Sequence, residues 1–189
     1  MSKKIVLYCL IFVFAVLACF GIIFAYNKVT YPLKFEEEIV EYSAAFGVDP
    51  ALVASIINAE SGFREDVVSK KGAVGLMQIM PKTGKWALER LSGQSVDIEF
   101  LSDKKDGILF LPKENIKIGT YYLSYLIEKF KDLNLVICAY NAGEGTVFSW
   151  LKNPAYSQDG KTLEKIPYKE TSAYLEKVLR NLEVYQKKF

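Results

Sequence analysis

The chain has 189 residues, 51% of them hydrophobic, and its charges nearly cancel, leaving a formal +2. That length allows one modest domain with an appendage, and the near-neutral balance gives no electrostatic footprint for nucleic acid. There is no histidine and there are only three cysteines. A Ser-His-Asp triad, a Cys-His dyad and a His-bearing zinc site are thereby excluded. Acid–base chemistry has to come from carboxylates, tyrosines or lysines, and no metal or cofactor is expected.

Behind Lys3 and Lys4, the 22 residues from Ile5 to Tyr26 carry no charge. Such a run is long enough to cross the hydrocarbon core as a helix. The two lysines favour a cytoplasmic N-terminus and place the remainder on the extracytoplasmic side. Residues 1–26 are therefore expected to be an uncleaved single-pass anchor in the cell membrane. Val16-Leu17-Ala18-Cys19 loosely resembles a lipobox, so a lipidated Cys19 is the second reading and a cleaved secretory peptide the third. Cys9 and Cys19 fall in this run; Cys138 alone lies beyond it, which excludes an intramolecular disulfide in the exported part.

Residues 27–34 read as a linker, and 35–189 as the exported domain. Phe35, Ile39, Val40, Ala44 and Phe46 recur roughly at helical spacing before a stop at Gly47. Asp49-Pro50 is a helix start, an N-cap followed by proline at the first helical position, and predicts a helix over about Pro50 to Ser61. On that helix Leu52, Val53, Ile56 and Ile57 form an apolar stripe, and Glu60 falls near its middle. A carboxylate there is costly unless paired or protonated, and desolvation would raise its pKa toward the range of a general acid. The alternative is a helix-terminal glutamate turned outward to water.

Ser69 to Gly75 is a glycine-rich turn. In the following Leu76-Met77-Gln78-Ile79-Met80-Pro81, the methionines read as core filler, whereas the polar Gln78 needs a structural or ligand partner. A short helix is expected over about Lys82 to Leu91, then an irregular stretch from Ser92 to Pro112. A long helix follows over Lys113 to Phe130, in which the Lys113 to Lys117 cluster reads as a solvated face. Asn134 to Tyr140 starts another apolar helix, ended by Asn141-Ala142-Gly143. Behind Ile166-Pro167-Tyr168 a last helix is expected over about Glu170 to Val184. The domain is predicted to be mainly α-helical.

Four of these segments together resemble the soluble lytic transglycosylase family, relatives of goose-type lysozyme. They are Glu60-Ser61-Gly62-Phe63; Gly75-Leu76-Met77-Gln78-Ile79-Met80-Pro81 with Thr83; Ala139-Tyr140-Asn141-Ala142-Gly143; and Ile166-Pro167-Tyr168-Lys169-Glu170-Thr171 with Tyr174. Four ordered blocks spanning about Phe35 to Leu179 are far more specific than one. The resemblance implies a lysozyme-like helical fold and cleavage of peptidoglycan glycan strands without hydrolysis. It implies Glu60 as the catalytic acid and then base. Ser61 would orient the end of its helix; Ser69, Gln78 and Met80 would contact sugar; Tyr140 and Asn141 would face them; and Tyr168 and Glu170 would close the site. Taken singly, Tyr140 could be core, Asn141-Gly143 a plain helix end, and Glu170 a first-turn acid favoured by the dipole. Two alternatives to the transglycosylase remain: a hydrolytic muramidase using Glu65, Asp66 or Glu170, and a weakly active wall-binding scaffold of an envelope-spanning complex.

Overall fold

The structure is a computed structural model that describes residues 3–102 and 107–189. It divides into two units, Met1–Pro32 and Leu33–Phe189. The first is a single helix, α1 (Lys3–Thr30). Its segment Ile11–Thr30, 20 residues, is apolar enough and long enough to cross a membrane, and none of its described residues is buried. Phe12, Phe14, Leu17, Phe20 and Ile22 are all exposed on it.

The second unit is mainly α-helical, as its periodicity implies, and the described residues hold only the isolated bridges Val68–Val74 and Val74–Ile79 in place of a sheet. Its elements are α2 (Glu36–Phe46), α3 (Pro50–Glu60), α4 (Pro81–Ser92), α5 (Glu99–Ser102), a 3₁₀ turn (Ile108–Phe110), α6 (Pro112–Phe130), α7 (Leu133–Ala142), α8 (Glu144–Leu151) and α9 (Lys169–Tyr185). The start of α3 follows from its sequence: the Asp49 carboxylate accepts from the Ala51 N–H at 2.8 Å and Pro50 occupies the first turn. Upstream, Gly47 ends α2 in the left-handed region (φ 66°), its N–H bonded to the Ser43 carbonyl.

Two helices are covered on every side. Ala51 through Ile57 of α3 are consecutively buried, as are Leu135 through Ala139 of α7. Around this pair, α9 packs on both α3 and α7, α6 on α7 and α2, α8 on α7, and α4 on α6. Cys138 belongs to this core, where burial pushes its thiol up to about 11. Two expectations change. The stretch from Ser92 to Pro112 is not wholly irregular, since Leu101 of α5 and Leu109 of the 3₁₀ turn are fully buried; residues 103–106 of it lie outside the described set. Beyond Gly143, where the sequence reading placed no element, the chain enters α8 directly, burying Val147, Trp150 and Leu151.

One buried amide organises the segment before α4. Asn115 is 1% exposed, inside the Lys113 to Lys117 cluster whose lysines do stay on the surface, paired to Glu41 and Glu114. Its Oδ1 accepts from the Met77 N–H at 2.8 Å, and its Nδ2 donates to the carbonyls of Val74 and Leu109 at 2.9 and 2.8 Å. A side chain from α6 therefore satisfies backbone that no regular element pairs. The close approach depends on glycine. Gly75 has φ +75°, and a Cβ there would overlap Asn115 and stand 2.6 Å from the Leu109 carbonyl oxygen. Gly119 of α6 likewise leaves room for the Met77 side chain.

We expect Gly75→Ala to lower folding stability by about 2–4 kcal/mol, combining left-handed strain with overpacking against a carbonyl that cannot swing away. Urea denaturation of the variant measures this, and an unchanged midpoint would contradict the packing around Asn115.

Candidate active site

Glu60 is the last residue of α3, so its side chain leaves the core where the helix stops. That end is fastened from several directions. Ser61 supplies the C-cap, with its N–H and its Oγ both donating to the Ile57 carbonyl. Gly62 and Phe63 turn through left-handed conformations (φ 62° each), which drives Phe63 back into the core against Tyr185. Arg64 Nε donates to the Ser61 carbonyl at 2.8 Å.

The remaining contacts come from one face of α9. Tyr174 donates its hydroxyl to Glu60 Oε1 at 2.8 Å, Lys177 Nζ donates to the Ala59 carbonyl at 2.7 Å, and Asn181 Nδ2 to the Ser55 carbonyl at 3.2 Å. Spacings of three and four residues put these groups in line along α9, where they meet the last turn of α3 at Glu60 and Ala59 and the turn before it at Ser55. Lys177 also sets a positive charge at the negative end of the α3 dipole. One turn earlier, Thr171 donates to Asn141 Oδ1 at 2.8 Å and so ties the end of α7 to the same helix.

These walls enclose a cleft of about 560 Å³. Glu60 lines it together with Tyr122, Tyr140 and Asn141, with Gln78, Met80 and Thr83 from the segment around the start of α4, and with Ser69, Lys70, Lys71 and Glu170. A wider surface depression at the start of α2, about 930 Å³, is lined by Leu33, Phe35 and glutamates, but Glu36, Glu37 and Glu41 there are exposed, so it contains no comparable desolvated acid.

Burial pushes the Glu60 carboxyl up from 4.5 to about 7. The Tyr174 hydrogen bond and the Lys177 charge pull the other way without cancelling it, and the Glu170 charge adds slightly. This is the outcome that the apolar stripe of α3 implied, and the outward-turned alternative does not hold. Tyr140 and Tyr174 are raised well above the usual phenol range, chiefly by burial and next by the Glu60 charge, so both are neutral hydrogen-bond donors.

The other residues singled out from sequence divide into three groups. Ser69, Gln78, Met80, Tyr140, Asn141 and Glu170 all reach the cleft together with Glu60. Gln78 takes a left-handed conformation (φ 49°) and spends its Nε2 on the carbonyls of Val67 and Gly75, which leaves Oε1 for a ligand. Asn141 offers Nδ2, its Oδ1 being taken by Thr171. Tyr140 uses its hydroxyl on the Met77 carbonyl at 2.9 Å, so it sets the position of the opposing loop. Met77 is core, as its type suggests, whereas Met80 is 41% exposed on the cleft wall. Ser61 and Tyr168 do not line the cleft. Ser61 is buried beneath the Glu60 turn and acts only on the helix end, and Tyr168 is 54% exposed, edge-on to Trp150. Sequence reasoning missed Tyr174 as a partner of the acid, along with Thr171, Lys177 and Asn115. The spacing of residues 174, 177 and 181 was the available signal, but nothing local says which helix that face meets.

Known proteins resemble this chain over most of its length. The sequence profile of the transglycosylase SLT domain matches residues 37–163. The chain is 34% identical over 152 residues to the soluble lytic murein transglycosylase of Salmonella typhimurium, covering 79% of this chain and 22% of that protein. It is 31% identical over 141 residues to the membrane-bound lytic murein transglycosylase C of Photorhabdus laumondii, covering 70% and 36%. Among solved structures, an inactive mutant of the lytic transglycosylase Slt from Pseudomonas aeruginosa superposes with a TM-score of 0.71 at 31% identity, over 86% of this chain and 25% of that one. The 70 kDa soluble lytic transglycosylase of Escherichia coli gives 0.70 at 32% identity, over 83% and 25%. The chain thus spans about a fifth of the length of the soluble relatives it matches.

The raised pKa of Glu60 has a measurable cost. Between about pH 4.5 and 7 the folded protein keeps a proton that the unfolded chain releases, so stability falls as pH rises through that window. The shift corresponds to about 3 kcal/mol above pH 7, at ~1.4 kcal/mol per unit. Glu60→Gln keeps an acceptor for Tyr174 and removes the titration. Its stability relative to wild type should be near zero at pH 4 and favourable by about 1–3 kcal/mol at pH 8. A difference independent of pH, measured by thermal denaturation across that range, would refute a buried, neutral Glu60.

Proposed function

The chain belongs to the transglycosylase SLT domain family, and from that premise we propose that it is a peptidoglycan lytic transglycosylase in which Glu60 serves as acid and then base. The observation that carries the reading is the single desolvated carboxyl in the cleft, poised at about 7 and held by Tyr174. A group with that pKa is about half protonated near neutrality, so both its acid and its base form are available without a large penalty.

In the proposed reaction, protonated Glu60 donates to the glycosidic oxygen between N-acetylmuramic acid and N-acetylglucosamine as the C1–O bond breaks. The muramic N-acetyl oxygen supports the positive charge developing at C1, as in substrate-assisted glycosidases. The Glu60 carboxylate then takes the proton of the 6-hydroxyl on the same sugar, and O6 bonds to C1 to close a 1,6-anhydro ring. No water is consumed. Gln78 Oε1, Asn141 Nδ2 and the Ser69 hydroxyl are among the polar atoms that the cleft offers to the sugars, and Met80 adds an apolar surface. Holding the 6-hydroxyl in place of solvent is a proximity effect. A hydrolytic muramidase would need a second carboxylate to activate water. Of the acids considered for that role, Glu65 and Asp66 are not among the cleft-lining residues, and Glu170 is 75% exposed and paired with Lys71.

The apolar helix α1 suits an uncleaved membrane anchor, with the catalytic unit on the extracytoplasmic side; a lipidated Cys19 and a cleaved leader are the alternatives. The exposed apolar surface of Ile11–Thr30 supports the anchor, since water is a poor solvent for it.

Mass spectrometry of a peptidoglycan digest tests the reaction. Wild type should release muropeptides with 1,6-anhydro ends, and kcat/KM should fall as pH rises through about 7 and Glu60 loses its proton. Glu60→Gln should lose at least ~10²–10⁴-fold in rate while staying folded. Reducing muramic ends from the wild-type enzyme would instead establish the hydrolase, and a fully active variant would remove Glu60 from the mechanism.

The anchor has its own measurement. The full chain should sediment with membranes, resist extraction by high salt, and be digested by protease added outside cells whose wall has been removed. Recovery in the soluble cytoplasmic fraction would contradict it.

A further inference from the structure

The cleft carries more positive charge than a channel for neutral sugar requires. Beside Glu60 and Glu170, its charged lining consists of Lys70 and Lys71. Glu60 is uncharged over most of the range below pH 7, and the charge of Glu170 is matched by Lys71, whose Nζ stands 3.9 Å from its carboxylate. Lys70 is exposed and has no ion-pair partner among the described residues. The rim of the cleft is therefore net positive, although the chain outside Lys3 and Lys4 is formally neutral.

These lysines sit on a fixed turn. Ser69 N–H donates to the Ala73 carbonyl at 2.9 Å, Ala73 N–H returns a bond to Ser69 Oγ at 2.9 Å, and Gly72 N–H closes the turn on the Ser69 carbonyl at 2.9 Å. Gly72 takes φ +87°, which permits so tight a reversal. The Lys71–Glu170 pair, by contrast, is loose. Its side chains are 81% and 75% exposed, and a solvated pair of that kind exchanges partners at little cost.

We propose that Lys70 and Lys71 form a cationic lip that recognises the carboxylate on the lactyl arm of muramic acid, either free or carried by a stem peptide attached to it. The proposal rests on the wall-glycan reading above. A wall strand alternates a neutral N-acetylglucosamine with a muramic residue whose 3-O-lactyl group ends in a carboxyl function. That arm belongs to the sugar that Glu60 must address: a bare arm brings its own carboxylate beside the scissile bond, and an arm amide-linked to a stem peptide brings the carboxylates of that peptide. Lys71 exchanges Glu170 for the substrate carboxylate, Lys70 adds a second donor, and each contact is a charge-assisted hydrogen bond. The lip thereby fixes which sugar occupies the cleaving position, since an N-acetylglucosamine placed there brings no anion.

The test uses the full chain in detergent and three glycans: strands with stem peptides, amidase-stripped strands with free lactyl carboxylates, and stripped strands whose carboxylates have been coupled to methylamine. Lys70→Ala/Lys71→Ala should raise KM about 3–10-fold on whichever anionic strands the lip reads, with kcat within about twofold. Lys70→Arg/Lys71→Arg should recover most of the loss. On the neutralised strands the KM values of wild type and the alanine variant should converge, and added salt should weaken wild type more than the variant. An effect on stripped strands alone assigns the lactyl carboxylate, and an effect on peptide-bearing strands assigns the stem. Equal penalties on charged and neutralised strands, or none on either, would overturn the lip. If wild type cleaved none of these glycans, the proposed reaction would fail by itself. Calorimetric binding of the stripped strand by Glu60→Gln, with and without the lysine substitutions, would still decide whether the lip recognises the anion.

Discussion

A carboxyl group at the end of an apolar helix needs something to hold it, and in this domain the holder is α9. Its Tyr174, Lys177 and Asn181 meet Glu60, Ala59 and Ser55 along a single seam, while Thr171 on the same helix fixes Asn141. The seam satisfies the Ala59 carbonyl, which α3 leaves open at its C-terminal end, and adds a bond to the Ser55 carbonyl one turn earlier. It also buries the acid deeply enough to raise its pKa, while the Tyr174 hydroxyl and the Lys177 charge stop the shift near neutrality. Burial alone would drive the carboxyl higher, and solvent would return it to an ordinary value. The useful window comes from opposing influences supplied by two helices.

The opposite wall is built on a different rule. Between Val67 and Met80 the backbone forms almost no regular structure, so its polar groups need partners from elsewhere. Asn115 serves two of them from α6 and the Leu109 carbonyl besides, Gln78 closes two carbonyls from within the loop, and Tyr140 takes the Met77 carbonyl from α7. Gly75 and Gly119 permit the close approach that these bonds require. Two cleft residues therefore have structural duties at one end and ligand-facing atoms at the other, and substituting Gln78 or Asn141 would disturb both.

What was legible in the sequence was mostly local. Asp49-Pro50 announces the start of α3, Gly47 the end of α2, and the placement of Glu60 among Ile56 and Ile57 indicates a desolvated acid, because each signal lies within a turn or two of its effect. The ordered blocks of resemblance added the cleft residues. Long-range pairing was not legible. Tyr174 is separated from Glu60 by 114 residues, and Asn115 looked solvated because its lysine neighbours are. The helix α8 was missed because Gly143, a sound stop for α7, also serves as its N-cap without any side-chain bond to advertise it. Ser61 caps the helix end as its block implied, whereas Tyr168 marks the limit of transfer by motif: membership of a block does not put a side chain on the cleft wall.

The separation of α3 from α9 along the chain also orders events in time. A polypeptide emerges N-terminal end first, so Glu60 is made and exposed well before Tyr174, Lys177 and Asn181 exist. Until α9 docks, that glutamate is an ordinary solvated carboxylate, ionised at neutral pH and poor at giving up a proton. Chains that have passed α3 but lack α9 consequently carry a glutamate with neither Tyr174 nor Lys177 beside it, and a desolvated acid arises only when the last helix closes the fold.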